Sequence, residues 1–202
     1  MRPLLIICNL FLLFSSGLSF AQSKKIVAVK TSEVPKVDGL LNDPAWSLAP
    51  LLTDFVQNFP IYGQPATHRT EVRILYDNSS IYIAAKIFAE PSQIRKQITA
   101  RDAESMSDVD YFSVFFDTYH DHQNGFQFLV TTANVQTDAK LAPNIGGDFN
   151  SFGDRTWDAV WESQVKMLPD GWSVEIRIPY ISLRFAKDRK STRLNSSHAN
   201  IS

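Results

Sequence analysis

The sequence predicts an all-β fold, an antiparallel, jelly-roll-like β-sandwich with one or two short helical turns. First, from residue 26 onward the dominant pattern alternates apolar and polar side chains, as in strands that are buried on one face. Second, several pairs of such segments are separated by residues typical of tight turns, which predicts consecutive hairpins. Third, signals for helices are few. Consecutive hairpins with little helix are typical of antiparallel sandwiches.

The N-terminal 21 residues differ from the rest and predict a signal peptide. Arg2 precedes an almost uninterrupted apolar run over 4–18. Ser19 and Ala21 follow this run and have the small side chains that a signal peptidase recognises. A membrane-spanning helix is the less favoured alternative, because the run is shorter than the about 20 apolar residues that a span needs. We therefore expect an exported protein, located in the periplasm, the outer membrane or the extracellular space.

The composition and the net charge limit the classes of protein to which this sequence can belong. The 202 residues carry a formal net charge of −1, and 44% of them are hydrophobic, which is typical of one globular domain. A charge this close to zero gives no general attraction to phosphates, so we expect no nucleic-acid partner. The single cysteine, Cys8, lies inside the apolar leader, so the domain relies on no disulfide.

Turn residues separate three predicted hairpins, which follow a lead-in strand within 22–34. The paired segments are, in chain order, 70–77 with 80–88, 110–118 with 125–132, and 159–167 with 171–179. Shorter strands are predicted over 26–30 and 54–58. Single helical turns are predicted at 44–49, 91–95 and 181–183, the first because Pro44 suits the first helical position.

The tryptophans divide into core residues and one candidate for ligand binding. Trp172 alternates with apolar residues of its strand and is predicted to lie in the core, and Trp46 is predicted to plug the sandwich from below. Trp157 and Trp161 are four residues apart, so a strand would place both on one face. Trp157 lies beside the long Gly- and Asn-rich loop 141–156 and could stack against a sugar ring, although core packing is an equally good alternative.

Aspartates cluster between residues 102 and 121 and predict either a calcium site or a solvated acidic rim. Calcium takes about six to eight oxygen ligands, and the candidates are Asp108, Asp110, Asp117 and Asp121. Their spacing does not match an EF-hand, which favours the solvated rim. No third ligand is apparent beside His120 and His122, so zinc is not expected. Calcium is therefore the one candidate cofactor.

Carboxylates on strands offer a weak catalytic alternative. Hydrolysis of a glycosidic bond needs two carboxyl groups that face one cleft, and Glu162 and Glu175 form the best pair on predicted strands. Such residues also occur on exposed strands simply for solubility. Motifs for a catalytic triad, a phosphate-binding loop and a dinucleotide fold are all missing from the sequence, so we expect no catalytic residue in this fragment.

Three segments resemble the family 9 carbohydrate-binding modules, in the variant found at the N-terminus of large exported bacterial proteins. They are KVDGLLNDPAW, RDAESMSDVDYFSVFFDT and VWESQVKMLPDGWSVEIRIPYISLRF, and the resemblance covers about residues 35–185. The matched motif positions are Asp38, Gly39, Leu41, Asp43 and Trp46 near the start, and Trp172, Glu175, Ile178, Pro179 and Leu183 near the end. An NxxGxxxD motif is matched only partly by TTANVQTD, where Asp138 is present and the glycine is missing.

The resemblance implies a β-sandwich over 35–187, calcium in some members and a sugar held between aromatic side chains. It predicts a module that binds poly- or oligosaccharide within a secreted, larger protein of polysaccharide catabolism. From the sequence of the long loop, we expect Asn144, Asp148 and Asn150 to bond sugar hydroxyls beside Trp157. The C-terminal region of the same full-length protein is then a partner. One alternative is part of a hydrolase of O-glycosyl bonds. Another is an assembly domain of the cell envelope, which binds outer-membrane or envelope components.

The tail after Lys187 differs in composition from the domain before it. Residues 188–202, DRKSTRLNSSHANIS, are mostly polar and without period, and they match the in-frame translation of a common sequencing adapter. We therefore expect that this segment is not encoded by the organism.

Overall fold

The computed structural model describes residues 27–101, 108–143 and 153–183. These ranges contain eight strands and three short 3-10 turns but no α-helix, which confirms the predicted all-β class. They also contain no helix with the length and apolar character that a bilayer crossing requires. The predicted signal peptide and the predicted adapter-derived tail lie outside the described residues.

The strands form two sheets that face each other. The strands are β1 (Val29–Lys30), β2 (Thr70–Tyr76), β3 (Ser80–Phe88), β4 (Tyr111–Phe116), β5 (Gly125–Thr131), β6 (Gln136–Leu141), β7 (Glu162–Leu168) and β8 (Gly171–Pro179). One sheet has the order β1-β2-β3-β8-β7 and the other the order β4-β5-β6. All neighbours are antiparallel except β1 and β2. The 3-10 turns span Pro44–Leu48, Pro91–Gln93 and Tyr180–Ser182.

All three predicted hairpins are confirmed, as β2 with β3, β4 with β5, and β7 with β8. Strand β7 begins at Glu162 rather than at residue 159. The strand predicted over 54–58 is wrong, because Asp54 has a φ of 57° and Val56 forms only an isolated bridge with Pro65. A residue with positive φ cannot continue a regular strand.

The main core lies between the two sheets. It consists of alternate residues of the strands, as a period of two requires. The five-stranded sheet contributes Val72, Ile81, Ile83, Ala85, Trp172, Val174, Ile176 and Ile178, and the three-stranded sheet contributes Phe112, Val114, Phe126, Phe128 and Val130. The prediction that Trp172 lies in the core is therefore confirmed.

A second core covers the outer face of the five-stranded sheet. The segment around the first 3-10 turn packs Ala45, Trp46 and Ala49 against Leu75 and Tyr82 of the sheet. Trp46 is 2% exposed, which confirms its predicted role as a plug. Both faces of the central strands β3 and β8 are therefore largely buried, one by the opposite sheet and the other by the N-terminal segment.

Candidate functional site

Trp157 lies against the inner face of the three-stranded sheet. Its ring centroid is 4.8 Å from that of Phe126 and 5.9 Å from that of Phe128, and the ring is half-buried. Trp161 is buried and also contacts Phe128, with 5.3 Å between ring centroids. The two tryptophans therefore share one side of the sheet, as their spacing predicts. Packing on two phenylalanines fixes the Trp157 indole while part of its surface remains open to solvent.

Charged groups follow directly after this indole. Asp158 is well exposed and accepts a hydrogen bond of 2.9 Å from the Arg101 guanidinium. Arg101 also donates to Asp138 at 2.9 Å and to the side-chain oxygen of Gln136 at 3.2 Å. Arg101 could not be identified from the sequence, because its partners are 35 or more residues away.

Asp138 is fully buried and holds this region together. Besides Arg101, its carboxylate accepts the backbone N–H of Ala159 at 2.7 Å and the indole N–H of Trp161 at 3.1 Å. Three donors satisfy a buried charge that would otherwise be costly. The carboxylate therefore ties β6 to the segment that carries both tryptophans.

The turn before β6 explains the incomplete NxxGxxxD motif. Asn134 occupies the position of the expected glycine and has a φ of 60°. Asparagine tolerates this left-handed conformation better than most residues. The backbone turn is closed by hydrogen bonds from Asn134 N–H and Val135 N–H to Thr131. The missing glycine therefore leaves the turn intact.

The proposed hydroxyl-binding residues Asn144, Asp148 and Asn150 lie outside the described residues. Their role, like that of Trp157, stays a prediction. Asp154 forms an isolated bridge with Lys140 of β6, so Asp154 itself lies at the edge of the three-stranded sheet.

The two glutamates of the catalytic alternative have different surroundings. Glu162 is exposed and pairs with Arg177 at 3.0 Å. Glu175 is 1% exposed, beneath the N-terminal segment on the outer face of the five-stranded sheet. Its two oxygens accept N–H groups from Asp38 at 2.9 Å, Gly39 at 2.8 Å and the Trp46 indole at 2.8 Å.

Burial raises the pKa of Glu175 above its ordinary value, and the hydrogen bonds from Asp38, Trp46 and Gly39 offset only part of that rise. A raised pKa is a property of general acids, but this carboxyl is covered by protein and both oxygens are engaged. The geometry adds no support to a catalytic role for Glu162 and Glu175, which stays a prediction. What Glu175 does in the structure is fasten the N-terminal segment to β8.

The close approach of this segment depends on Gly39. It has a φ of 81°, and a Cβ at this position would lie 3.1 Å from the backbone of Val165 and Lys166 in β7. Glycine is the residue that combines positive φ with such close contact. Gly39 therefore allows its N–H to reach Glu175.

The four calcium candidates do not converge on one point. Asp110 binds the backbone N–H and guanidinium of Arg95, and Asp108 is exposed. Asp121 accepts N–H groups from Gln123 and Asn124, and these hydrogen bonds, with that of Asn124 first, lower its pKa. Within the described residues, Asp117 instead groups with His120 and His122. The calcium prediction gains no support from this arrangement.

An exposed aromatic loop precedes β2 and was not among the sites predicted from the sequence. Phe59 is 81% exposed and Tyr62 is 78% exposed, with Ile61 between them also exposed. Backbone hydrogen bonds from Gln57 N–H to Gln64 O at 2.7 Å and from Ala66 N–H to Phe55 O at 2.9 Å close the loop. The signal in the sequence was two aromatic residues beside Pro60 and Gly63, outside any periodic pattern. Exposed aromatic side chains held on a closed loop form a second surface for stacking.

Comparison with known proteins identifies solved structures that have a similar fold. No protein-family model and no curated protein matches this sequence. Among solved structures, a family 9 carbohydrate-binding module from Caldicellulosiruptor kristjanssonii in complex with cellotriose is 19% identical, with a TM-score of 0.52 over 77% of this chain and 67% of that chain. A family 9 module from the same organism in complex with glucose is 18% identical, with a TM-score of 0.49 over 75% and 67% of the two chains.

A third solved structure comes from Bacteroides uniformis and carries the name of a carbohydrate-binding protein. It is 12% identical, with a TM-score of 0.55 over 77% of this chain and 72% of that chain. Identities this low establish similarity of fold rather than of ligand. The predicted β-sandwich, similar to the family 9 carbohydrate-binding modules, is thereby confirmed as the fold of this chain.

Proposed function

We propose that this domain binds poly- or oligosaccharide by stacking a sugar ring on Trp157. The observation that carries the proposal is the partly exposed Trp157, whose indole packs against Phe126 and Phe128. The apolar face of a pyranose matches an aromatic ring, and a ring that is already fixed loses little entropy on binding. Asp158 follows Trp157 in the chain and pairs with Arg101, and both side chains are exposed, so they are suited to hydrogen-bond sugar hydroxyls.

The solved relatives support this choice of ligand by analogy. The family 9 module from Caldicellulosiruptor kristjanssonii, which has a similar fold, was solved in complex with cellotriose. Binding without catalysis fits the described residues, because both oxygens of Glu175 are engaged by protein donors. We further propose that the domain is the front module of a larger, exported protein of polysaccharide breakdown, on the strength of the predicted leader.

The test measures binding of cello- and xylo-oligosaccharides and insoluble polysaccharides to the purified chain. Trp157→Ala should weaken binding by at least about tenfold, a loss of ~1.4 kcal/mol. Val160→Ala is the matched control, since Val160 lies three residues away and is 81% exposed. Unchanged affinity of Trp157→Ala for a sugar that the wild type binds would remove Trp157 from the site.

The aromatic loop provides the second arm of the same experiment. The double variant Phe59→Ala and Tyr62→Ala removes both exposed rings of this loop without touching the core. If sugar binding follows Trp157, this variant binds as the wild type does. Loss in the double variant together with retention in Trp157→Ala would instead locate the sugar on the loop. Failure of the wild type to bind any glycan of a broad array would contradict the proposed function itself.

A further inference from the structure

The loop between β4 and β5 brings together three side chains of the types that ligate metals in proteins. Asp117 follows the last residue of β4, and His120 and His122 lie in the loop before β5 begins at Gly125. One ligand atom from each of the three lies within 4.8 Å of the other two. The two imidazole centroids are 5.4 Å apart, and His122 Nδ1 is 3.7 Å from Asp117 Oδ2. The spacing in the sequence had indicated no third ligand for these histidines.

The backbone of the loop is folded around the Asp117 carboxylate. Asp117 Oδ1 accepts the N–H of Asp121 at 3.2 Å, and Oδ2 accepts the N–H of His122 at 3.0 Å. Each carboxylate oxygen has a second lone pair, so these bonds leave ligating capacity. Hydrogen bonds of this kind orient a ligating carboxylate before a metal arrives. His120 and His122 both have a φ of 55°, and this backbone conformation turns the loop back toward Asp117.

We propose that Asp117, His120 and His122 form a binding site for a divalent transition metal of the zinc class. Two imidazoles and one carboxylate are donors that suit zinc, cobalt, nickel and copper, whereas calcium takes only oxygens. In a tetrahedral zinc site the donor atoms lie about 3.4 Å apart. Both imidazoles are exposed, so small side-chain rotations close the remaining distance. Three protein ligands leave at least one coordination position open to solvent.

The experiment titrates zinc chloride into the purified, untagged chain by isothermal calorimetry. The wild type should bind one zinc ion per chain, and excess calcium chloride should not displace it. His120→Asn and His122→Asn should each weaken zinc binding by at least about tenfold. Asparagine tolerates the positive φ of both positions, so these variants keep the loop conformation.

Two controls distinguish zinc binding at this site from zinc binding by any exposed histidine and from an effect of unfolding. His68→Asn removes an exposed histidine outside the cluster and should bind zinc as the wild type does. A second readout is the visible absorption of the cobalt-loaded chain, which should vanish when both loop histidines are replaced. Metal-free melting curves should be the same for all variants. Absence of saturable zinc binding, or a loss in only one of the two histidine variants, would overturn the three-ligand site.

Discussion

Replacement of Glu175 by glutamine probes the strongest link between the N-terminal segment and the sheet. The carboxylate accepts three N–H groups, two at Oε2 from Asp38 and Gly39 and one at Oε1 from the Trp46 indole. A glutamine amide has one oxygen acceptor, so its NH₂ group must face at least one of these donors. Glu175→Gln therefore leaves one buried donor unsatisfied and removes the charge from the other bonds.

The expected loss of stability follows from these contacts. A hydrogen bond to a charged group contributes about 1.5–3 kcal/mol, a neutral one about 0.5–1.5, and an unsatisfied buried donor costs about 1–3. Burial raises the pKa of Glu175, so removal of the buried charge offsets the weakening of the two remaining hydrogen bonds. The unsatisfied buried donor then dominates, and we expect Glu175→Gln to lower the free energy of unfolding by about 1–3 kcal/mol.

Urea denaturation at pH 7, followed by tryptophan fluorescence, measures this change. In a Trp46→Phe background the glutamine NH₂ no longer faces a donor, so the cost of Glu175→Gln should fall by about 1–2 kcal/mol. Glu162→Gln is the matched control, since Glu162 lies on the neighbouring strand with a side chain that is 57% exposed, and its effect should stay within about 0.5 kcal/mol. Equal stability of wild type and Glu175→Gln would refute the hydrogen-bonding scheme.

Three further substitutions test other parts of the fold. Burial raises the pKa of Asp77, but hydrogen bonds from Ser79, Tyr82 and Ser80 outweigh it and leave the pKa below its ordinary value. Its carboxylate thus stabilises the fold above the unfolded-state pKa, and the advantage of wild type over Asp77→Asn should shrink as the pH falls below about 4 in a series of urea titrations. Asn134→Ala and Asn134→Gly both lose the side-chain hydrogen bonds of Asn134 with Ser163, and Asn134→Ala should cost about 1 kcal/mol more than Asn134→Gly because of the positive φ, by thermal melting. Gly171→Ala should prevent correct pairing of β3 with β8, because the added Cβ would lie 2.0 Å from the Ile87 carbonyl oxygen; a folded variant by circular dichroism would contradict this.

The hairpins could be predicted from the sequence because their signals are local. Alternation over a few residues and a turn between the segments define each one, as for β2 and β3 around Asn78. Strand β6 was not among the predicted strands, since its side chains at Gln136, Asp138 and Lys140 are polar and gave no apolar alternation. Asp138 is buried only because Ala159, Trp161 and Arg101 donate to it, and those partners are at least 21 residues away.

The candidate sites were even harder to predict from the sequence than strand β6, because they depend on partners that are distant in the chain and on the conformation of loops. The partners of Glu175 are 137 and 129 residues away for Asp38 and Trp46, so sequence alone could identify Glu175 as polar but could not identify its role. The grouping of Asp117, His120 and His122 depends on positive φ at both histidines. A positive φ is uncommon even for histidine, which adopts it more often than most residues do. The sequence therefore does not show in which direction these side chains point. The position of Trp157 over Phe126 likewise depends on the pairing of β5 with its neighbours.

The central position of the last strand affects the order in which the domain can fold. Strand β8 lies between β3 and β7, although it comes after the other seven strands of the described residues. Until β8 has been synthesised, β3 has an unpaired edge and the segment around Trp46 lacks the carboxylate that anchors it. Contacts of such long sequence separation form slowly, and unpaired edges promote aggregation. A nascent chain would therefore benefit from a chaperone until β8 has left the ribosome.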